Sequence, residues 1–111
     1  MIIRHKLPPR NFTRIDRYVF TNENLSDGAK VLYGYLCGLK NGANFCDVYL
    51  MGALKLQKPA LAKRKRELKK AGLILTEQIS ARVYVIYIGY TGCLAEQVKA
   101  EWTAEEDKYN D

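Results

Sequence analysis

Between residues 58 and 70 the chain reads KPALAKRKRELKK, in which Lys58, Lys63, Arg64, Lys65, Arg66, Lys69 and Lys70 stand against a single acid, Glu67. Such side chains act by neutralising oxyanions. An ammonium is a compact point charge, whereas a guanidinium presents a planar fork that matches a phosphate or the acceptor edge of guanine. Ala60 is small enough to let the backbone of this stretch approach a base or a phosphate. Further donors follow in Gln78, Ser80 and Arg82, and others precede in Arg14 and Arg17. Signs of a reaction centre are lacking: His5 is the only histidine, and there is no phosphate-binding glycine loop. Asp16, Glu23 and Asp27 do not have the spacing of a catalytic pair or a metal site. The expectation is a protein that is not an enzyme and takes no cofactor and no metal.

The charge is unevenly spread. Residues 1–92 carry 16 basic and 6 acidic side chains, a net +10, while residues 93–111 carry 2 and 6, a net −4. A positive field over the first part and an opposing one at the end follow. With 111 residues, 48% hydrophobic and 27% charged, the chain suits one folded domain with a modest core. Cys37, Cys46 and Cys93 form no paired motif and read as buried or incidental thiols. No apolar run approaches the roughly 18–20 residues that cross a bilayer, and MIIRHKLPP lacks the apolar segment of a signal peptide, so a cytoplasmic location is expected.

The elements that must position these donors are legible as periodicities. Ser26 suits a helix cap, and Ala29, Leu32, Tyr33, Leu36 and Leu39 recur at helical spacing over residues 27–39. Asp47 is expected to cap a short helix over 48–55. Leu56, Gln57 and Lys58 make a turn, and Pro59 opens a helix running to Ala71, with Gly72 as a left-handed stop. Residues 73–76 and 82–88 have strand composition and 77–81 a hairpin tip. On helix 59–71, Leu61, Leu68 and Ala71 are expected to join Leu32, Leu36, Met51 and Leu54 in the core, with Leu73 and Leu75 extending it into the sheet. Lys58, Ala60, Lys63, Arg64 and Lys70 then fall elsewhere, with Lys63 and Arg64 the leading groove contacts and Lys58 beside a phosphate at the helix start. Arg82, with Gln78 and Ser80, is placed for a minor groove or the backbone; Arg14 and Arg17 are expected on the backbone alone.

Helix, short helix, turn, helix and hairpin follow one another in the order of a winged helix-turn-helix, an α+β fold with a two-stranded wing, here with a possible additional C-terminal helix. The residues Phe12 to Phe20, the run Leu25-Ser26-Asp27-Gly28-Ala29-Lys30-Val31-Leu32-Tyr33 and the ending Leu68-Lys69-Lys70-Ala71-Gly72-Leu73-Ile74 resemble winged-helix domains of plasmid replication initiators of the RepA N-terminal type and of phage replisome-organiser proteins. The likeness covers residues 12–89, and its Leu-x-x-x-Gly-Leu-Ile ending is shared by many winged-helix families. It implies binding of double-stranded DNA in replication initiation or transcription control, often as a dimer. The family's groove-facing positions fall at Lys58, Ala60, Lys63 and Arg64, and its wing at Gln78 to Arg82. Two positions depart from the pattern: Lys55 stands where glycine is common in the turn, and Lys65 where an apolar residue is common between Leu61 and Leu68.

Three segments result: a basic arm over 1–11, the winged domain over 12–92 and an acidic amphipathic segment over 93–111. In the last, Leu94, Val98 and Trp102 form a stripe that either docks on the domain or mates with a second copy in a homodimer. Glu105-Glu106-Asp107 serves solubility or lies over the basic domain. Two other roles stay open. One is single-stranded nucleic-acid binding, with Tyr84, Tyr87 and Tyr90 as stacking surfaces, although Tyr84 and Tyr87 have opposite strand parity. The other is an interaction module for a replication or transcription partner protein. Repression, activation and initiation all use the same groove-facing domain.

Overall fold

Ser26 accepts a hydrogen bond from the Ala29 amide at 3.2 Å, and Asp27 follows it in the first helical turn. This is the capping chemistry that an N-terminus requires, and it begins the longest helix before the basic stretch. The computed structural model describes residues 1–5, 15–39 and 41–109, with side chains to residue 105. Along the chain these form β1 (Ile2–Arg4), α1 (Arg17–Phe20), α2 (Asp27–Cys37), α3 (Asp47–Leu54), α4 (Lys58–Lys70), β2 (Ile74–Ser80), β3 (Val83–Ile88) and α5 (Ala95–Tyr109). The described residues are thus of mixed α+β class, with five helices and a three-stranded sheet of order β1-β3-β2.

Strand alternation divides the core in two. Ile3, Ile74, Ile86 and Ile88 point to one face of the sheet, where they meet Leu32 and Leu36 of α2, Leu50 of α3, and Leu61 and Leu68 of α4. Val85 and Tyr87 point to the other face, where they meet Ala95 and Val98 of α5 with Ile2, Leu75 and Trp102. Leu75 therefore leaves the α2–α4 core that its composition suggested, because Ile74 takes the parity facing those helices. Met51, Leu54 and Ala71 pack at the edge of that core, half-buried.

Several boundaries depart from expectation for local reasons. Cys46 is the N-cap of α3 and makes no side-chain cap bond, while Asp47 is the first helical residue and its carboxylate turns to Lys65. Lys55 ends α3 in the left-handed region, with φ 54°, and is the only non-glycine with positive φ among the described residues. Its amide closes on Met51 O, so the turn geometry is kept without the customary glycine. Pro59 falls within the first turn of α4, where no intrahelical partner for its nitrogen is needed. Gly72, at φ 77°, supplies the expected stop.

The hairpin is longer than its composition suggested. β2 runs on to Ser80 and leaves Ala81 and Arg82 as a two-residue connection, with a register shift between Gln78 and Ser80. Such a bulge increases twist and re-aims the side chains near a tip.

At the N-terminus the basic arm is corrected in its first residues. β1 pairs in parallel with β3, Ile3 opposite Ile86, and Ile3 is fully buried. Its other edge is bonded to the segment before α3, through Ile3 N to Ala43 O and Gly42 N to Ile3 O. His5, within the expected arm, is buried with Nε2 2.8 Å from Leu39 O. The part of residues 12–20 that is described contains a one-turn helix, α1. No helix among the described residues is long and apolar enough to cross a membrane.

Candidate nucleic-acid interface

Leu61 and Leu68 are seven residues apart and both buried, so they fix the inward direction of α4. At about 100° per residue the opposite side is then carried by Pro59, Lys63, Arg66 and Lys70, and all four are exposed. Lys58 and Lys69 share one flank of the helix, and both are exposed as well. Five exposed cations thus lie along four turns, and Glu67, the acid of this helix, is turned away toward α2. A helix bearing seven cations is held in place by few apolar anchors, so its rotation depends on polar ties at both flanks.

On one flank, Glu67 accepts hydrogen bonds from Ser26 N at 3.1 Å and from Ser26 Oγ at 2.8 Å. These bonds, with Lys63 and Arg64 nearby, hold its carboxyl below the usual carboxylate range. Arg64 lies across the start of α2 so closely that a Cβ at Gly28 would overlap its guanidinium. With Ala60 and Lys63 it borders a recess of about 420 Å³ against Ser26, Asp27 and Gly28. Arg64 is half-buried there. The outward guanidinium of α4 belongs instead to Arg66.

On the other flank, Lys65 lays its stem along the core and its ammonium meets Asp47 Oδ1 at 2.5 Å, with a side-chain exposure of only 16%. The departure at this position is thereby accommodated: the methylenes pack and the charge is paired. Beyond it a groove of about 570 Å³ opens between α3, α4 and the hairpin. Cys46, Asp47 and Val48 line one wall, Lys65 and Lys69 the floor side, and Thr76, Arg82 and Tyr84 the hairpin wall.

Gln78 and Tyr84 are paired across the hairpin and share the parity of Thr76 and Ile86, so they face the α4 side of the sheet. Ser80 is opposite Val83 beyond the bulge, and Ser80, Arg82 and Gln78 are all exposed. Tyr87 is buried beneath α5 whereas Tyr84 is 42% exposed, the division that their opposite parity requires.

The remaining expected donors are not brought to this face. Arg17 is exposed on α1, whose cap Asp16 accepts from Tyr18 N at 3.0 Å and from Thr91 N at 2.7 Å. Thr91 lies past the end of β3 opposite the hairpin tip, so Arg17 and Arg82 sit at opposite ends of that strand. Arg14 lies outside the described residues. Burial raises the Asp16 carboxyl, but the bonds from Thr91 and Tyr18 outweigh it and hold the group low.

The stripe on α5 is turned inward. Val98 is buried, Trp102 is half-buried and Leu94 remains 45% exposed. Trp102 and Tyr87 flank the Arg4 guanidinium at 5.1 and 5.8 Å, and Glu77 of β2 pairs with Lys99 of α5. Of the two readings of this stripe, docking describes Val98 and Trp102 within the single chain.

Arg66 and Lys69 are exposed cations of this face that the sequence pattern alone did not single out. The signal for Arg66 is present in the sequence, since it lies opposite the axis set by Leu61 and Leu68, whereas Arg64 falls against Gly28 of α2. Lys69 becomes notable only once the hairpin is placed beside α4. Among the described residues no group of three or more His, Cys, Asp or Glu side chains converges as a metal site would require. Comparison with protein-family models, with curated proteins and with solved structures returned no match.

Proposed function

We propose that the chain binds double-stranded DNA as a winged helix-turn-helix, with α4 in the major groove and the β2–β3 hairpin as a wing on the backbone or minor groove. The role that fits is a replication initiator or transcription regulator of a phage or plasmid. One observation carries this reading: Lys58, Lys63, Arg66, Lys69 and Lys70 on α4 and Arg82 on the hairpin are exposed, and the acids beside them, Glu67 and Asp47, are already engaged by Ser26 and Lys65.

The physical account follows from that charge. A helix with its side chains is about 10–12 Å across and a major groove about 12 Å wide, so α4 fits, and because Leu61 and Leu68 hold its other face in the core its cationic side leads. Lys63, Arg66 and Lys70 form the leading stripe. Arg66 is suited to a bidentate contact with guanine, and the lysines to phosphates on either side. Lys58 and the first amides of α4 present a positive helix end to a phosphate, and Ala60 leaves that end uncrowded. Arg64 and Glu67 act one step back, setting the angle at which α4 leaves the α2 start. Displacement of counterions by these side chains gives affinity that falls steeply with salt, while sequence choice rests on the few that reach base edges.

Selection of bound duplexes from a random library, followed by competition at fixed salt with nonspecific duplex and with the separated strands, tests the proposal. Enrichment of a motif bound more tightly as duplex than as single strand is expected. A preference for the single strand, or no binding, would contradict it.

A further inference from the structure

The groove between α3, α4 and the hairpin has a shape that tracking of a phosphate chain does not require. Backbone contacts need only a cationic ridge, and α4 supplies one. Yet the open recess beside it offers about 570 Å³, within the range of roughly 300–1,000 Å³ typical of small-molecule clefts. Its walls combine an exposed aromatic ring, Tyr84, with Lys69 and Arg82 and with the Thr76 hydroxyl.

We propose that this groove holds one unpaired nucleotide at the border of the bound duplex, its base on Tyr84 and its phosphates between Lys69 and Arg82. The inference rests on the DNA-binding reading and extends it to strand structure. A base within a duplex has both faces covered by its neighbours, so a protein ring can stack only on a base that has left the helix. Tyr84 stands on the hairpin face that looks toward α4, where a base leaving the groove-bound duplex arrives first. The groove also holds a fixed acceptor, the Asp47 carboxylate, whose charge is balanced by Lys65, so exocyclic amino groups find a partner there without net repulsion of the phosphates. Stacking of this kind tolerates any base, so the site reads the absence of pairing and carries no sequence code.

The test uses one duplex in two forms, fully paired and with a single bulged 2-aminopurine, titrated against the full chain and its Tyr84→Leu and Tyr84→Phe variants. The bulged form should bind the wild type about tenfold more tightly, with changed 2-aminopurine fluorescence, as loss of one stacking contact typically costs that order of affinity. Tyr84→Phe keeps the preference. Tyr84→Leu binds both forms equally, at the wild-type affinity for the paired duplex. Equal wild-type affinity for the two forms, or a preference that survives Tyr84→Leu, overturns the inference while binding of the paired duplex leaves the DNA reading standing. Failure of the wild type to bind either form overturns both.

Discussion

The Lys65 ammonium lies 2.5 Å from Asp47 Oδ1, joining the middle of α4 to the start of α3. This pair adds a polar tie to the rotation that buried Leu61 and Leu68 set, because it anchors the one lysine that interrupts their core line. Asp47 is half-exposed, so the pair belongs on the energy scale of surface ion pairs. Replacing Asp47 by Asn should cost about 0.5–1 kcal/mol, and a double-mutant cycle with Lys65→Met should return a coupling of about the same size by urea unfolding. A coupling indistinguishable from zero would mean that the rotation is set by packing alone.

Glu67 makes the opposite flank sensitive to acid. Its carboxyl is held below its ordinary 4.5 by the Ser26 hydrogen bonds. A folded-state value below the unfolded one contributes stability that is complete above the unfolded value and drains as pH falls through the folded one. The melting-temperature gap between the wild type and Glu67→Gln should therefore be flat above pH 4.5 and narrow as the pH is lowered further. A gap that widens in acid contradicts the Ser26–Glu67 tie.

Lys55 occupies a backbone conformation that costs an L-residue roughly 1–2 kcal/mol. Glycine removes that cost but loses roughly 0.5–1 kcal/mol through its freer unfolded chain. Lys55→Gly should then stabilise by about 0.5–1 kcal/mol in thermal or urea unfolding, and Lys55→Val should destabilise, since β-branching worsens the left-handed conformation. Destabilisation by glycine would show that Lys55 makes a contact worth more than its strain.

The three thiols should differ in reactivity. Cys37 is buried beside Tyr33 and burial pushes its thiol up to about 11, Cys93 is buried, and Cys46 is exposed. One equivalent of Ellman's reagent should react quickly in the native chain at neutral pH, and the other two only on unfolding. Because Cys46 lines the groove beside Lys65 and Lys69, saturating duplex DNA should slow its labelling several-fold. Unchanged labelling in the complex would move the DNA away from this groove.

Most of the α+β order was legible because it rests on local signals: the Ser26 cap, the Leu61–Leu68 interval and the branched run before Gly89. What was not legible depends on contacts between segments distant in sequence. Ile2–Arg4 becomes a strand because β3 offers it an edge 83 residues later, and His5 is buried with its ring against Leu39 O. The choice between Arg64 and Arg66 turned on helix rotation, which places Arg64 against Gly28 at the start of α2 and leaves Arg66 outward. The stripe at Val98 and Trp102 packs on the second face of the sheet, which is invisible in a local pattern.

The central claim is that the outward stripe of α4 meets duplex DNA, and the salt dependence of binding tests it most directly. Duplex affinity should be measured across a salt series for the wild type and for the combined variant Lys63→Ala, Arg66→Ala and Lys70→Ala. Each phosphate contact contributes about 0.9 to the slope of log affinity against log salt, so the variant should bind far more weakly at low salt with a slope shallower by about 2–3. Its melting temperature should stay close to that of the wild type, since all three residues are exposed. A variant that keeps the wild-type affinity and slope would contradict the account.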